Sequence, residues 1–162
     1  MKPQPTYVKV AHHAVGRPGD LLVTLGLGSC VAIVLHDKQA RVGAMAHVLL
    51  PEPGLARDQE NRAKFAATAV PMLLEELGAL GGRGTRMEAR LVGGASMFAT
   101  LMVPGSLNMG ERNIRAAREA LRKAGIPILG EQVGGDYGRS VRFNVADGST
   151  VVSSVGKQDV VL

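Results

Sequence analysis

Tryptophan is absent from this 162-residue chain, which has only two Tyr and three Phe. So few rings leave no stacking platform for single-stranded nucleic acid, and no Lys/Arg run is long enough to track a phosphate backbone. They also require the core to be built from Val, Leu, Ala and Met. There is one cysteine, which excludes any internal disulfide and fits a reducing compartment. No stretch approaches the roughly 18 apolar residues of a membrane-spanning helix. The first residues, MKPQPTYVKV, lack the apolar run of a signal peptide. These absences predict a cytoplasmic protein with no nucleic-acid ligand and no membrane insertion.

What is present describes an ordinary globular chain, 46% hydrophobic and 20% charged, expected to form one domain over residues 1–162. The charge is +5 and the pI about 9.8, which permits nucleic acid, anionic lipid or an acidic protein as partner without choosing among them. Short β-type runs are read at Tyr7–Ala11, Leu21–Leu25, Cys30–His36, Arg41–Leu50, Arg86–Val92, Ile126–Val133, Arg139–Val145 and Thr150–Val155. Asp37-Lys38-Gln39-Ala40 reads as the turn of a hairpin between the third and fourth runs. Both of those runs are apolar on both parities, which suits strands covered on two faces.

Two helices are predicted. One runs from Asp58 to about Leu77, with Phe65, Ala69, Leu73 and Leu77 on a stripe and Pro71 expected to kink or break it. The other runs from about Gly110 to Ala124, with Asn108 as N-cap, Gly125 just past the end, and Ile114, Ala117, Leu121 and Ala124 inward. Many strands with only two strong helices give an α+β fold: mixed or antiparallel β-structure with two flanking helices.

The segment Thr24-Leu25-Gly26-Leu27-Gly28-Ser29-Cys30 places two glycines just before the only thiol, at a loop–strand junction. Amides near Gly28, Ser29 and Cys30 would there converge on a developing oxyanion. A nucleophilic thiol needs a base, since little of it is thiolate at neutral pH. Of four histidines, His12 and His13 are adjacent and face opposite ways, while His36 ends a strand at a turn, where solvent is expected. His47 lies in an otherwise apolar strand. Cys30 stands eight residues before Lys38 and His47 nine after it, so a hairpin turning there sets them nearly opposite each other. Two readings stand on the residues alone: an inert core Cys and a hydrogen-bonded core His, or a nucleophile and its base. A dinucleotide loop fits poorly, since Val31 occupies the third glycine position of GxGxxG and no helix follows. One Cys and scattered His give no metal-ligand spacing.

Five blocks in order, however, resemble the chemoreceptor glutamine deamidase family, CheD. They are VTLGLGSCVA at Val23–Ala32, VGAMAHVLLP at Val42–Pro51, GGASMF at Gly93–Phe98, NMGERN at Asn108–Asn113, and Gly134-Gly135 with Arg139-Ser140-Val141. The resemblance implies Cys30 as nucleophile, His47 as base and Thr24 as the third member. It also implies a fold like that of the cytotoxic necrotizing factor-type cysteine hydrolases. No metal or organic cofactor is required. The implied substrate is glutamine on chemoreceptor cytoplasmic helices, with the phosphatase CheC as a regulatory partner where present. Met109 and Gln132 depart from the family's usual residues without touching the three.

Two rivals share these residues: a receptor glutamate methylesterase, and a mainly non-enzymatic regulator of CheC. Outside the blocks, Arg115, Arg118 and Arg122 recur along one face of the second helix, either as plain solvated surface or as a stripe steering an acidic partner.

Overall fold

A strand that is apolar on both parities needs cover on both faces. In the hairpin of β4 (Val31–Asp37) and β5 (Val42–Val48) every residue is indeed buried. The computed structural model describes residues 4–97 and 108–162, so Phe98 of the third sequence block lies outside the described residues. β4 and β5 pair antiparallel from Val31 opposite Val48 to Asp37 opposite Val42. The Asp37 carboxylate closes the turn by accepting from the amides of Gln39 and Ala40, each at 3.0 Å.

This hairpin is the centre of one five-stranded sheet. Its order is β2 (His13–Gly16), β5, β4, β6 (Met87–Gly93), β7 (Ile128–Val133). The other sheet runs β1 (Gln4–Tyr7), β3 (Asp20–Leu27), β8 (Arg139–Asn144), β9 (Thr150–Ser153), β10 (Val160–Val161). The β1–β3 and β6–β7 pairs are parallel. The remaining neighbours are antiparallel, so both sheets are mixed.

Two apolar cores follow from strand alternation. Leu22 and Leu27 of β3, Ala32 and Val34 of β4, Met45 of β5 and Phe143 of β8 pack between the sheets. Ile33, Leu35, Ala44 and Ala46 point the other way, onto helices α1 (Ala66–Ala79) and α2 (Met109–Ala124). The result is sheet, sheet, helices: the α+β class read from the sequence. Each buried Leu, Ile or Phe contributes roughly 1.5–3 kcal/mol relative to an exposed one. A one-residue slip of β5 would turn Met45 and His47 to the helices, so burial fixes where His47 points.

α2 is capped as read from the sequence. The Asn108 side chain accepts from the Glu111 amide, and Gly125, at φ 72°, closes the end. α1 begins later than the expected Asp58, because Phe65 is held extended by a bridge to Leu50 and the Ala66 amide donates to the Leu50 carbonyl. The helix runs on through Pro71. That ring and Ala67, whose carbonyl loses its partner, both face solvent, so water can take the vacated acceptor. The first strand lies at Gln4–Tyr7 rather than Tyr7–Ala11. β2 and the two-residue β10 were not legible in the sequence.

Candidate active site

Thr24 and His47 belong to different sheets and meet in the space between them. β3 carries Leu22 and Thr24 inward, and β5 carries Met45 and His47 inward to face them. The Thr24 hydroxyl donates to the Val8 carbonyl at 2.6 Å. Its one proton is then used, so at 2.7 Å from His47 Nδ1 the oxygen must accept. His47 therefore carries its proton on Nδ1 and a lone pair on Nε2. That Nε2 is buried and has no hydrogen-bond partner among the described residues. An orphaned buried acceptor of this kind costs about 1–3 kcal/mol and calls for an explanation, of which a catalytic role is one. The backbone beneath is fixed by the corner before β2, where His47 N–H donates to His12 and its carbonyl accepts from Ala11.

Thr24 reaches this position with the help of a bulge. Thr24 pairs with Val141 and Leu27 with Arg139, so β3 carries one residue more than β8 across this interval. Leu25 and Gly26 are extruded to solvent, and Gly26 takes φ 67°. The extra residue returns Leu27 to the inner face, which strict alternation from Thr24 would deny it.

Cys30 immediately precedes β4 and is half-buried, with its side chain against the inter-sheet core. Ala32 is the residue opposite His47. Cys30 shares the face of Ala32 one step further from the turn, so it stands diagonal to His47 rather than opposite. The hairpin turns between Gln39 and Ala40, not near Lys38, and this moves the pairing by two residues. Same-face diagonal neighbours remain within reach of long side chains. His47 is fully buried, whereas Cys30 is half-buried.

Three successive carbonyls anchor the loop around the thiol. Gly28 accepts from Ala95 N–H at 2.8 Å, Ser29 from the Asn113 side chain at 2.9 Å, and Cys30 from Gly94 N–H at 2.8 Å. The amides of Gly28 and Ser29 have no such partner among the described residues. Gly93 allows this approach: a Cβ there would lie 2.3 Å from the Cys30 carbonyl oxygen. An open groove of about 680 Å³ flanks the bulge, lined by Gly26, Met97, Tyr137, Arg139, Ser140 and Val155 among others.

Burial pushes the Cys30 thiol up from its ordinary value, partly offset by its own backbone N–H. Burial also lowers the His47 imidazole, against a smaller opposing effect of the Val8 carbonyl. The two shifts favour a neutral thiol and a neutral imidazole over a thiolate and an imidazolium.

The other histidines are elsewhere. His12 is exposed, and His13 contacts Glu76 at 2.6 Å. His36 is buried, contrary to the solvated position expected, because its Nε2–H donates to the Val145 carbonyl at 2.9 Å and the Phe143 ring packs edge-on against it. The Val8 carbonyl and Asn113 were not assigned roles from the sequence. Asn113 had one signal: it is a polar residue in line with Ala117 and Leu121 on the buried stripe of α2.

A family model described as CheD chemotactic sensory transduction matches residues 49–154. The chain is 45% identical over 149 residues to a probable chemoreceptor glutamine deamidase, CheD 2, of Geobacter metallireducens, covering 91% of this chain and 92% of the relative. It is 43% identical over 149 residues to the chemoreceptor glutamine deamidase CheD of Thermotoga maritima, covering 92% and 91%. Among solved structures it shares the fold of protein NMB0706 of Neisseria meningitidis, at a TM-score of 0.52 and 13% identity over 84% of this chain and 65% of that one. By sequence over nearly its whole length, the chain belongs to the CheD family.

Proposed function

We propose that this chain is a single-domain protein-glutamine deamidase acting on chemoreceptor cytoplasmic helices, with Cys30 as nucleophile, His47 as base and Thr24 as its orienter. The observation that carries this is the unpartnered Nε2 of His47, its lone pair free because Thr24 fixes the proton on Nδ1. The relatives' naming as chemoreceptor glutamine deamidases supplies the substrate.

The chemistry follows from the two neutral groups. His47 Nε2 takes the Cys30 proton as sulfur attacks the glutamine carboxamide carbon, and the amides of Gly28 and Ser29 are the nearest candidates to receive the oxyanion. The C–N bond then breaks, Nε2–H gives its proton to the leaving nitrogen, and ammonia departs from a Cys30 thioester. Water adds next, with Nε2 accepting its proton. The C–S bond breaks, sulfur regains its proton, and glutamate is left. Thr24 plays the part of the carboxylate in a serine protease triad, holding the tautomer without adding negative charge.

Such a receptor helix lies in the cytoplasm, where a single unpaired thiol stays reduced. Among the described residues no helix is long and apolar enough to cross a membrane. The phosphatase CheC would bind this same protein as a regulator where it is present. Incubation with a receptor cytoplasmic fragment should release ammonia. Methanol from a methylated fragment, with no ammonia from an unmethylated one, would make the chain a methylesterase instead.

A further inference from the structure

We infer that Asn113 of α2 is a positioning residue that holds the nucleophile strand and the base strand at their working separation. This rests on the reading of Cys30 and His47 just given. Asn113 is fully buried. Its Nδ2 donates to the Ser29 carbonyl at 2.9 Å and to the Leu49 carbonyl at 3.0 Å. Both neighbours are carbonyl oxygens and can only accept, so the nitrogen must face them.

The place of these two bonds matters. The β4–β5 ladder ends at Val31 opposite Val48. Beyond it the strands part, and the amides of Leu49 and Leu50 turn away to the Lys64 carbonyl. Ser29 precedes Cys30, and Leu49 follows His47 by two residues. One carboxamide therefore replaces the next rung, tying the residue before the thiol to the strand that carries the base. Its own Oδ1 is buried with no partner among the described residues, so the side chain acts only as a donor. α2 is held against this corner, since a Cβ on Gly110 would lie 2.5 Å from the carbonyl oxygens of Gly94 and Ala95. Nothing in the packing of α2 requires a polar group there; Ala117 and Leu121 continue the same stripe with apolar ones.

Displacing reacting groups by about 1 Å can cost about 100-fold in rate. The test uses the full chain with Asn113→Ala, Asn113→Leu (which keeps the volume but not the donors) and Leu121→Ala as a control that weakens the same helix. On a receptor fragment, well below each variant's Tm, both Asn113 variants should lose about 10- to 100-fold in kcat with KM within about twofold. Leu121→Ala should lower Tm at least as much and keep its kcat. Iodoacetamide alkylation of Cys30 at neutral pH, which depends on His47 taking the proton, should slow in both Asn113 variants towards the His47→Ala rate. A purely structural role predicts the reverse: Asn113→Leu restores kcat, or a loosened site alkylates faster. Either result overturns the proposal, as would equal loss of kcat in Leu121→Ala. Wild-type protein that releases no ammonia would sink the deamidase reading instead, and the alkylation comparison would then decide alone.

Discussion

The hydroxyl of Thr24 and Nδ1 of His47 lie 2.7 Å apart across the gap between two sheets. The Thr24 proton is already committed to Val8. One side chain thus determines which imidazole nitrogen keeps its lone pair. The two sheets must therefore stay in register with each other for the site to exist, which couples fold to chemistry directly.

Removing that hydroxyl should cost turnover. Thr24→Ala and the isosteric Thr24→Val are expected to slow kcat by roughly one to three decades, the effect of losing one positioned hydrogen bond at a proton-transfer site. Thr24→Ser keeps the oxygen and should retain much of the rate. Steady-state kinetics of the three variants check this. Ser as damaging as Ala, with Val near the wild-type rate, would assign the role to the methyl group and its packing.

The pH dependence follows from the two burial effects. With neutral His47 as the proposed base, whose pKa burial lowers, activity should persist below the ordinary value of 6.5 and fall only at more acid pH. Cys30 is raised, so the thiolate limb of its alkylation should lie above 9.0. Profiles of kcat/KM and of iodoacetamide alkylation against pH measure both. An alkylation plateau already complete at neutral pH would reveal a preformed thiolate–imidazolium pair and contradict this account.

Asp37 carries a separate prediction about stability. Burial works to raise its carboxyl, but the Arg86 guanidinium and the amides of Ala40 and Arg83 outweigh that and hold it at about 2. A pKa depressed from 3.8 contributes stability above that value, and the contribution is lost as pH falls from about 4 towards 2. Its size is about 2 kcal/mol. Urea unfolding of the wild type and Asp37→Asn should differ by about this much at neutral pH and converge near pH 2. A difference independent of pH would place the effect in the turn backbone instead.

The arginine stripe of α2 is less open than its spacing implies. Arg118 pairs with Glu131 at 2.6 Å and Arg122 with Glu119 at 2.6 Å. Arg115 has no carboxylate partner among the described residues. If the stripe steers an acidic receptor helix, Arg115→Glu should lower kcat/KM at low salt, with the loss vanishing near 1 M, where the Debye length is about 3 Å. Arg118→Glu should instead reduce stability through repulsion with Glu131. A kcat/KM ratio unchanged across the salt series would leave Arg115 as solubilising surface.

Much of this site was legible because its residues break local rules. A histidine in an apolar strand and a lone thiol after two glycines stand out in the sequence, and the apolar hairpin links the two segments that carry them. The diagonal offset of Cys30 was not legible, since it depends on whether the chain turns at Lys38 or one residue later. His36 looked solvated because its cover, Val145 and Phe143, comes from the other sheet. β2 has a short polar-flanked sequence and exists because the edge of β5 accepts it. Asn113 showed only as a polar interruption of a stripe; its two partners are distant in sequence and meet only after the helix docks.

The most direct test of the central claim is peptide mass spectrometry of a receptor cytoplasmic fragment treated with wild-type protein, Cys30→Ala or His47→Ala. Wild type should convert specific glutamines to glutamate, each gaining about one mass unit, while both folded variants leave them unchanged and their combination is no slower than either alone. Conversion by Cys30→Ala at a rate near wild type would contradict the account.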